Sequence, residues 1–244
     1  MHQEQPPGKT AVVFGARNLG RAVIEALLTA GWAVTGVARS QETLDGVSDA
    51  GALALRGDVT DPQSVRSVLE RAREQHGPVD LVLNAASAYG GTRTGPFGGG
   101  PIAEAAPDAF DSWAAAPARS AFAFLSSCGR FAIEQQRPAT LIQVTGGSAR
   151  RAMAGRGLWA AGAFGVRAIT NAAALELRPQ GIHVALLIVD AGIHKIDQPP
   201  APSDTPTAAN PRSIADAVLF LAAQDASAAS HELQLTPLGD NWTP

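Results

Sequence analysis

Two glycines five positions apart, Gly15 and Gly20, stand where a short apolar run ends and a helical pattern begins, in Thr10-Ala11-Val12-Val13-Phe14-Gly15-Ala16-Arg17-Asn18-Leu19-Gly20. Residues of this kind suit anion chemistry. Glycine lets a backbone turn tightly and come close to a ligand, and the free N–H groups and positive dipole end of the next helix attract a phosphate. Taken alone, the turn serves packing as readily as phosphate binding. Other chemistries have few carriers. The five histidines are scattered without metal-ligand spacing, so no metal site is expected. The single cysteine, Cys128, excludes an internal disulfide framework and fits a reducing, cytoplasmic setting.

The elements that must position this turn follow from an alternation along the chain. After the first strand, a helix is expected from about Asn18 to Gly31, with Val23, Leu27 and Leu28 on its apolar face. Further strands are expected at Ala33–Ala38, Leu53–Leu55, Leu81–Leu83, Thr140–Val144, His183–Val189 and Leu233–Leu235. Asp61-Pro62 predicts a helix start, with a carboxylate cap and a proline in the first turn, and that helix stops at Gly77. Longer helices are expected from about Asp108 to Gln136 and Leu158 to Leu177, and another from Ser213 to Ala223. Near-continuous apolar strands alternating with helices mean an α/β domain whose parallel sheet is covered on both faces. At 45% apolar and 17% charged residues, with a net charge of -3 and no basic cluster, the composition argues against nucleic acid as a partner. No apolar run approaches the roughly 20 residues that span a bilayer, and the opening residues lack the basic-then-apolar order of a signal peptide.

The order of these motifs resembles the short-chain dehydrogenase/reductase family over nearly the whole chain. Gly15 and Gly20 match its glycine-rich phosphate loop, Asp58 in Gly57-Asp58-Val59 its adenine-contacting acid, and Asn84-Ala85-Ala86 its Asn-Ala-Gly signature. Pro211 to Ala222, PRSIADAVLFLA, follows the start of its sixth helix. The resemblance implies a single doubly wound Rossmann domain over residues 1–244, with seven parallel strands and helices on both faces. A proline-rich flap over the pocket is expected at 194–211, and a homodimer or homotetramer through the two long helices. Implied cofactor contacts are Gly15, Arg17, Asn18, Leu19, Gly20, Arg39, Asp58, Val59, Asn84, Ala85, Ala86 and Ile193. The loop is one residue shorter than the family pattern, and Asn18 stands where its middle glycine belongs. Asparagine tolerates left-handed backbone, so the turn is still expected to form.

On that fold, cofactor choice is a matter of charge. An acid about 20 residues past the turn normally bonds the ribose 2′-hydroxyl of NAD, whereas arginine suits the 2′-phosphate of NADP. Here the second strand ends Val37-Ala38-Arg39-Ser40, and Arg17 lies inside the turn. A guanidinium grips a phosphate through two parallel hydrogen bonds, so NADP(H) is expected over NAD(H), against a bland reading of two solvated arginines.

The catalytic set departs from the family. Its tyrosine, the lysine four residues later, the serine thirteen residues before and the asparagine of the long helix align on Trp159, Ala163, Gly146 and Pro117. Indole N–H only donates and has no accessible pKa, alanine carries no charge, and proline in a helix removes a hydrogen bond. General acid catalysis is worth about 10²–10⁴-fold, so ordinary carbonyl reduction should be weak or absent. The pocket residues expected are Tyr89, Thr145, Gly146, Trp159 and Asp190, with Phe97 and Val189 making the lining partly apolar. Tyr89 is the chain's one tyrosine, either a replacement acid or a rim aromatic, and Asp190 is an acid/base candidate or a cap. Three functions therefore compete: an oxidoreductase with unconventional residues, a catalytically silent NADP-binding subunit or sensor, and a non-redox isomerase or lyase reusing the pocket.

Overall fold

The computed structural model of the protein describes residues 8–86, 95–198 and 205–240. The apolar runs become strands β1 (Thr10–Phe14), β2 (Ala33–Ala38), β3 (Leu53–Arg56), β4 (Val79–Asn84), β5 (Ala139–Gly146) and β6 (Ile182–Val189). A two-residue pair, β7 (Gly192–Ile193) and β8 (Ala208–Ala209), forms its own small ribbon, and β9 (Glu232–Leu235) returns to the main sheet. That sheet has seven strands in the order β3-β2-β1-β4-β5-β6-β9, with every neighbouring pair parallel. The parallel sheet covered on both faces that the alternation anticipates, and the doubly wound form with seven strands that the resemblance implies, are those observed.

Helices α1 (Leu19–Thr29), α2 (Gln41–Asp49), α3 (Pro62–His76), α4 (Ala116–Gln135), α5 (Gly157–Leu177) and α6 (Pro211–Ala223) cover both faces. Strand periodicity divides them. In β1, Ala11 and Val13 join a core with Ile24 and Leu27 of α1 and Ile214 and Val218 of α6. Val12 and Phe14 face the other way, into a core with Val65 and Leu69 of α3 and Phe124 and Phe131 of α4. Successive side chains of a strand point to opposite faces, so β1, buried throughout, anchors both layers. Caps set two helix starts. The Asp61 carboxylate accepts from the Gln63 amide at 3.0 Å and the Asn210 side chain from the Arg212 amide at 3.0 Å, each with proline in the first turn.

The long helix expected from Asp108 begins with a π-helical turn, Asp111–Ala115, which runs into α4 with helical backbone at Ala115 and Ala116. Pro117 thus falls in the first turn of α4, just after a wider turn, and does not break the rod. π-turns are one of the few devices that absorb such a disruption. α4 and α5 then approach closely: a Cβ on Gly162 would fall 2.6 Å from the Trp113 carbonyl oxygen, and one on Gly165 3.0 Å from the Ala118 Cβ. Part of the two long helices expected to make contacts between subunits therefore makes this contact within the chain. α2 had no counterpart in the sequence reading. It buries only Leu44 and Val47, a stripe too thin to announce itself.

Candidate active-site cleft

Between β1 and β4 the strand order reverses, and α/β folds bind ligands at such a switch point, beyond the carboxyl ends of the strands. A cleft of about 680 Å³ opens there. Its first wall is the glycine turn: Gly15, Arg17, Asn18 and Leu19 all line it. Gly15 has φ 85°, and a Cβ there would fall 2.5 Å from the Ala86 amide nitrogen, so a side chain is excluded twice over. Gly20 does not line the cleft. A Cβ on it would sit 2.3 Å from the Gly15 carbonyl oxygen, and its role is to let helix and turn close on each other. The start of α1 has no side-chain cap, so its first N–H groups keep their capacity for an anion.

Asn18 corrects an expectation. Its backbone is right-handed, φ −91° and ψ −78°, not the left-handed conformation a middle glycine would take. The shorter loop needs only one positive φ, at Gly15, among residues 15–20. The Asn18 side chain reaches across the chain instead: Nδ2 donates to the His194 carbonyl at 2.8 Å, and Oδ1 accepts from the Ile196 amide at 2.8 Å.

At one end the cleft is lined by Arg39, Ser40, Thr43, Asp58 and Val59. Arg39, three-quarters exposed, approaches Asp58 at 3.6 Å. The Asp58 carboxylate also accepts from the Thr60 amide at 2.9 Å and the Thr60 hydroxyl at 2.7 Å. Burial alone would raise its pKa, but the Thr60 amide and hydroxyl and the Arg39 guanidinium together hold it below the ordinary carboxylate value. Ser40 and Thr43, joined hydroxyl to hydroxyl at 2.8 Å, went unnoticed in the sequence. Ser40 stands at the N-cap of α2 without capping it, and only recognition of α2 would have drawn attention to the pair.

The middle is rigid. Asn84 is buried and donates to the Gln143 side chain at 3.0 Å while accepting from the Ala86 amide at 3.1 Å, so it ties β4 to β5. Ala85 and Ala86 line the cleft beside it, and Ile193 closes the opposite side.

At the far end, Pro117, Gly146, Trp159 and Ala163 line the same cavity, together with Thr145, Val189 and Ser120. Ser120, one turn beyond Pro117 on the same face of α4, is a hydroxyl the sequence reading passed over. Trp159 is held by two rings, its centroid 5.8 Å from Trp113 and 4.9 Å from Phe97. Phe97 does not itself line the cleft; it stacks behind Trp159 with the Arg156 guanidinium 5.3 Å from its centroid. Charged lining side chains among the described residues are Arg17, Arg39 and Asp58, none at the Trp159 end.

Asp190 is turned elsewhere, and here too the expectation is corrected. Its buried carboxylate is not part of the cleft lining. It lies so close to Gly147 that a Cβ there would fall 1.8 Å from Oδ1, and Arg151 and Gln234 approach it at 3.3 and 3.4 Å. At the other end of β9, opposite Leu186, Glu232 holds Arg167 at 2.6 Å and Arg150 at 2.9 Å. Burial alone would raise the Glu232 pKa, yet Arg167, Asn171 and Arg150 keep it low. This cluster fastens β9 to its neighbours. Tyr89 lies outside the described residues, as do residues 199–204 of the expected flap. Among the described residues no group of three His, Cys, Asp or Glu is placed to hold a metal, and no helix is long and apolar enough to cross a membrane.

Residues 9–194 match the model of the short chain dehydrogenase family. A 3-oxoacyl-[acyl-carrier-protein] reductase of Salmonella typhimurium is 31% identical over 235 residues, covering 90% of this chain and 92% of the relative. The L-xylulose reductase of Mesocricetus auratus is 29% identical, over 72% of this chain and 69% of its own length. Among solved structures, a blue fluorescent protein from a metagenomic library, crystallised with NADPH, superposes with a TM-score of 0.74 at 25% identity, covering 95% of this chain and 98% of its own.

Proposed function

The chain belongs to the short-chain dehydrogenase family of oxidoreductases, and on that premise we propose that its cleft holds a nicotinamide dinucleotide, NADP(H) in preference to NAD(H). The residues fit such a group. The uncapped start of α1 and the turn Gly15–Leu19 suit a pyrophosphate, Asp58 and Val59 an adenine, and Arg39, Ser40, Thr43 and Arg17 a 2′-phosphate. Asn84, Ala85, Ala86 and Ile193 border the path between the two ends. When bound, the dinucleotide supplies hydride chemistry; the protein's part is to bind, orient and exclude water.

What the chain's own residues do at the far end sets the reaction. The positions that the family fills with tyrosine, lysine, serine and asparagine carry Trp159, Ala163, Gly146 and Pro117, and their meeting in one cavity is the observation that carries this reading. Among the described lining residues at this end, the groups able to donate a proton are Ser120, Thr145 and the amides of Gln143 and Asn84, whose ordinary pKa values are far from neutral. Gln143 is engaged besides, by Asn84 and by the Val144 carbonyl at 2.8 Å. Ordinary carbonyl reduction is therefore absent or very slow.

The test follows NADPH oxidation at 340 nm across ketones, aldehydes and quinones, for the wild type, Trp159→Tyr, and Trp159→Tyr with Ala163→Lys. A flat wild-type trace is expected, with little recovery in the single variant because such residues act as a unit. A brisk wild-type rate that survives Trp159→Phe would overturn the reading and turn attention to Tyr89. A silent dinucleotide-binding subunit is the second reading, favoured by a Trp159 end that carries no charged lining side chain among the described residues. A non-redox isomerase or lyase would need an acid/base group at the Trp159 end.

A further inference from the structure

The segment after β6 crosses beside the glycine turn and is fastened there. β7 pairs with β8, and the His194 amide donates to the Ala209 carbonyl at 3.0 Å, which fixes one side of residues 192–194. The other side is fixed by Asn18. Its amide group spends both functions on this segment, donating to the His194 carbonyl and accepting from the Ile196 amide. One residue past Ile196, Asp197 receives the Arg21 guanidinium at 3.1 Å, and Arg21 also binds Glu25 at 3.0 Å. The Arg21–Asp197 pair is exposed and contributes little by itself. The Asn18 contacts are half-buried and directional, and they join residues 176 and 178 positions apart.

Asn18 borders the cleft from the turn, and on the segment Ile193, the residue before His194, borders it from the other side. We propose that Asn18 is a positioning residue for the dinucleotide: its side chain straps residues 194–197 onto the start of α1 and so retards the departure of the pyrophosphate held there. The proposal rests on the cofactor reading above. It accounts for why a loop one residue short carries an asparagine in right-handed backbone at a place where glycine would serve the turn as well. Glycine has no side chain with which to hold the strap. Alanine keeps the helical backbone and removes both hydrogen bonds, and serine, too short to replace the amide's donor and acceptor together, is the milder change.

Two measurements on the full chain test this. Amide hydrogen exchange at Ile196 reads the strap directly, since that N–H is the one Asn18 accepts. Stopped-flow chase of NADPH fluorescence reads dissociation. Asn18→Ala should speed Ile196 exchange with or without NADPH and raise the dissociation rate about tenfold, leaving the association rate within about twofold, the usual division for a contact that acts after encounter. Asp197→Asn, which touches no cleft-lining residue, should raise dissociation by less than about threefold. A purely structural role for Asn18 would lower the thermal midpoint without separating the two rates. Unchanged Ile196 exchange, or faster exchange with unchanged dissociation, would overturn the strap while leaving the cofactor reading in place. No fluorescence change on adding NADPH to the wild type would remove the cofactor reading and the strap with it. Should Asn18→Ala fail to fold, Asn18→Ser and Asp197→Asn carry the same comparison with the same opposed outcomes.

Discussion

Arg39 and Trp159 mark the two ends of the cleft, and single substitutions at them ask different questions. Removing the Arg39 guanidinium should cost NADP(H) a charge-assisted contact, about tenfold in affinity, while NAD(H) changes by less than about threefold. Calorimetric titration of Arg39→Ala with both cofactors checks this, and equal losses for the two would contradict it. The effect is kept modest because Arg39 is largely exposed and already leans on Asp58. At this scale the sequence was a good guide where spacing decides and a poor one where side-chain direction decides. The placement of Arg17, Arg39 and Asp58 around one cavity follows from strand ends, which periodicity marks, and that of Trp159, in the first turn of α5, from the family resemblance. Asp190 also stands just past a strand end, but its carboxylate turns toward Arg151 and Gln234, and no local pattern announces partners 39 and 44 positions away.

Helices and strands bring a second set of consequences. β6 and the start of β9 meet at two histidines whose rings lie 6.1 Å apart. His183 donates from Nε2 to the Ser230 carbonyl at 2.9 Å, and its buried Nδ1 has no partner among the described residues. His231 Nε2 faces the Arg178 guanidinium at 3.0 Å, and since arginine only donates, that nitrogen accepts. Burial pushes the His183 pKa down, the Ser230 carbonyl partly offsets this, and the His231 ring lowers it further; burial also lowers His76. A histidine whose folded pKa lies below its unfolded value takes up its proton first in the unfolded chain. Stability is then full above the unfolded value of about 6.5 and is lost as pH falls below it toward the folded value. The thermal midpoint should therefore drop between about pH 7 and 5.5, and His183→Gln should flatten that slope; a midpoint level across this range would contradict it. Packing makes another prediction. Trp113 is 1% exposed and ties the π-turn to Trp159, so Trp113→Ala should cost about 3–5 kcal/mol in denaturant titration. Strong apolar periods made β1, β6, α3 and α6 legible in advance, to within a residue or two. α2 and the π-turn were not legible, because one buries two apolar residues and the other is a response to Pro117 that no propensity encodes.

The molecule as a whole leaves Ala161, Phe164, Ala168, Ala172 and Leu175 exposed along one side of α5, with Phe122 and Ile133 exposed on α4. Their spacing of three and four makes a continuous stripe, of the kind that covers itself by self-association. Light scattering at micromolar concentration should report a dimer or tetramer, and Phe164→Asp should release monomers; a wild-type monomer would refute this. The parallel sheet with helices on both faces was legible because alternating strands and helices admit few topologies, whereas the exposed side of α5 was hidden because alanines run all round that helix. The glycine turn belongs to β1 and α1, but it is completed by residues far along the chain: Asn18 by Ile196, 178 positions away, Glu25 by Arg212, and α1 by α6. That arrangement sets an order in time. Contacts so distant in sequence form late, after local helices and neighbouring strands. In refolding, the helical signal should return before the capacity to bind NADPH, and a chain emerging from the ribosome would leave the turn incomplete until residues 196–223 had been made.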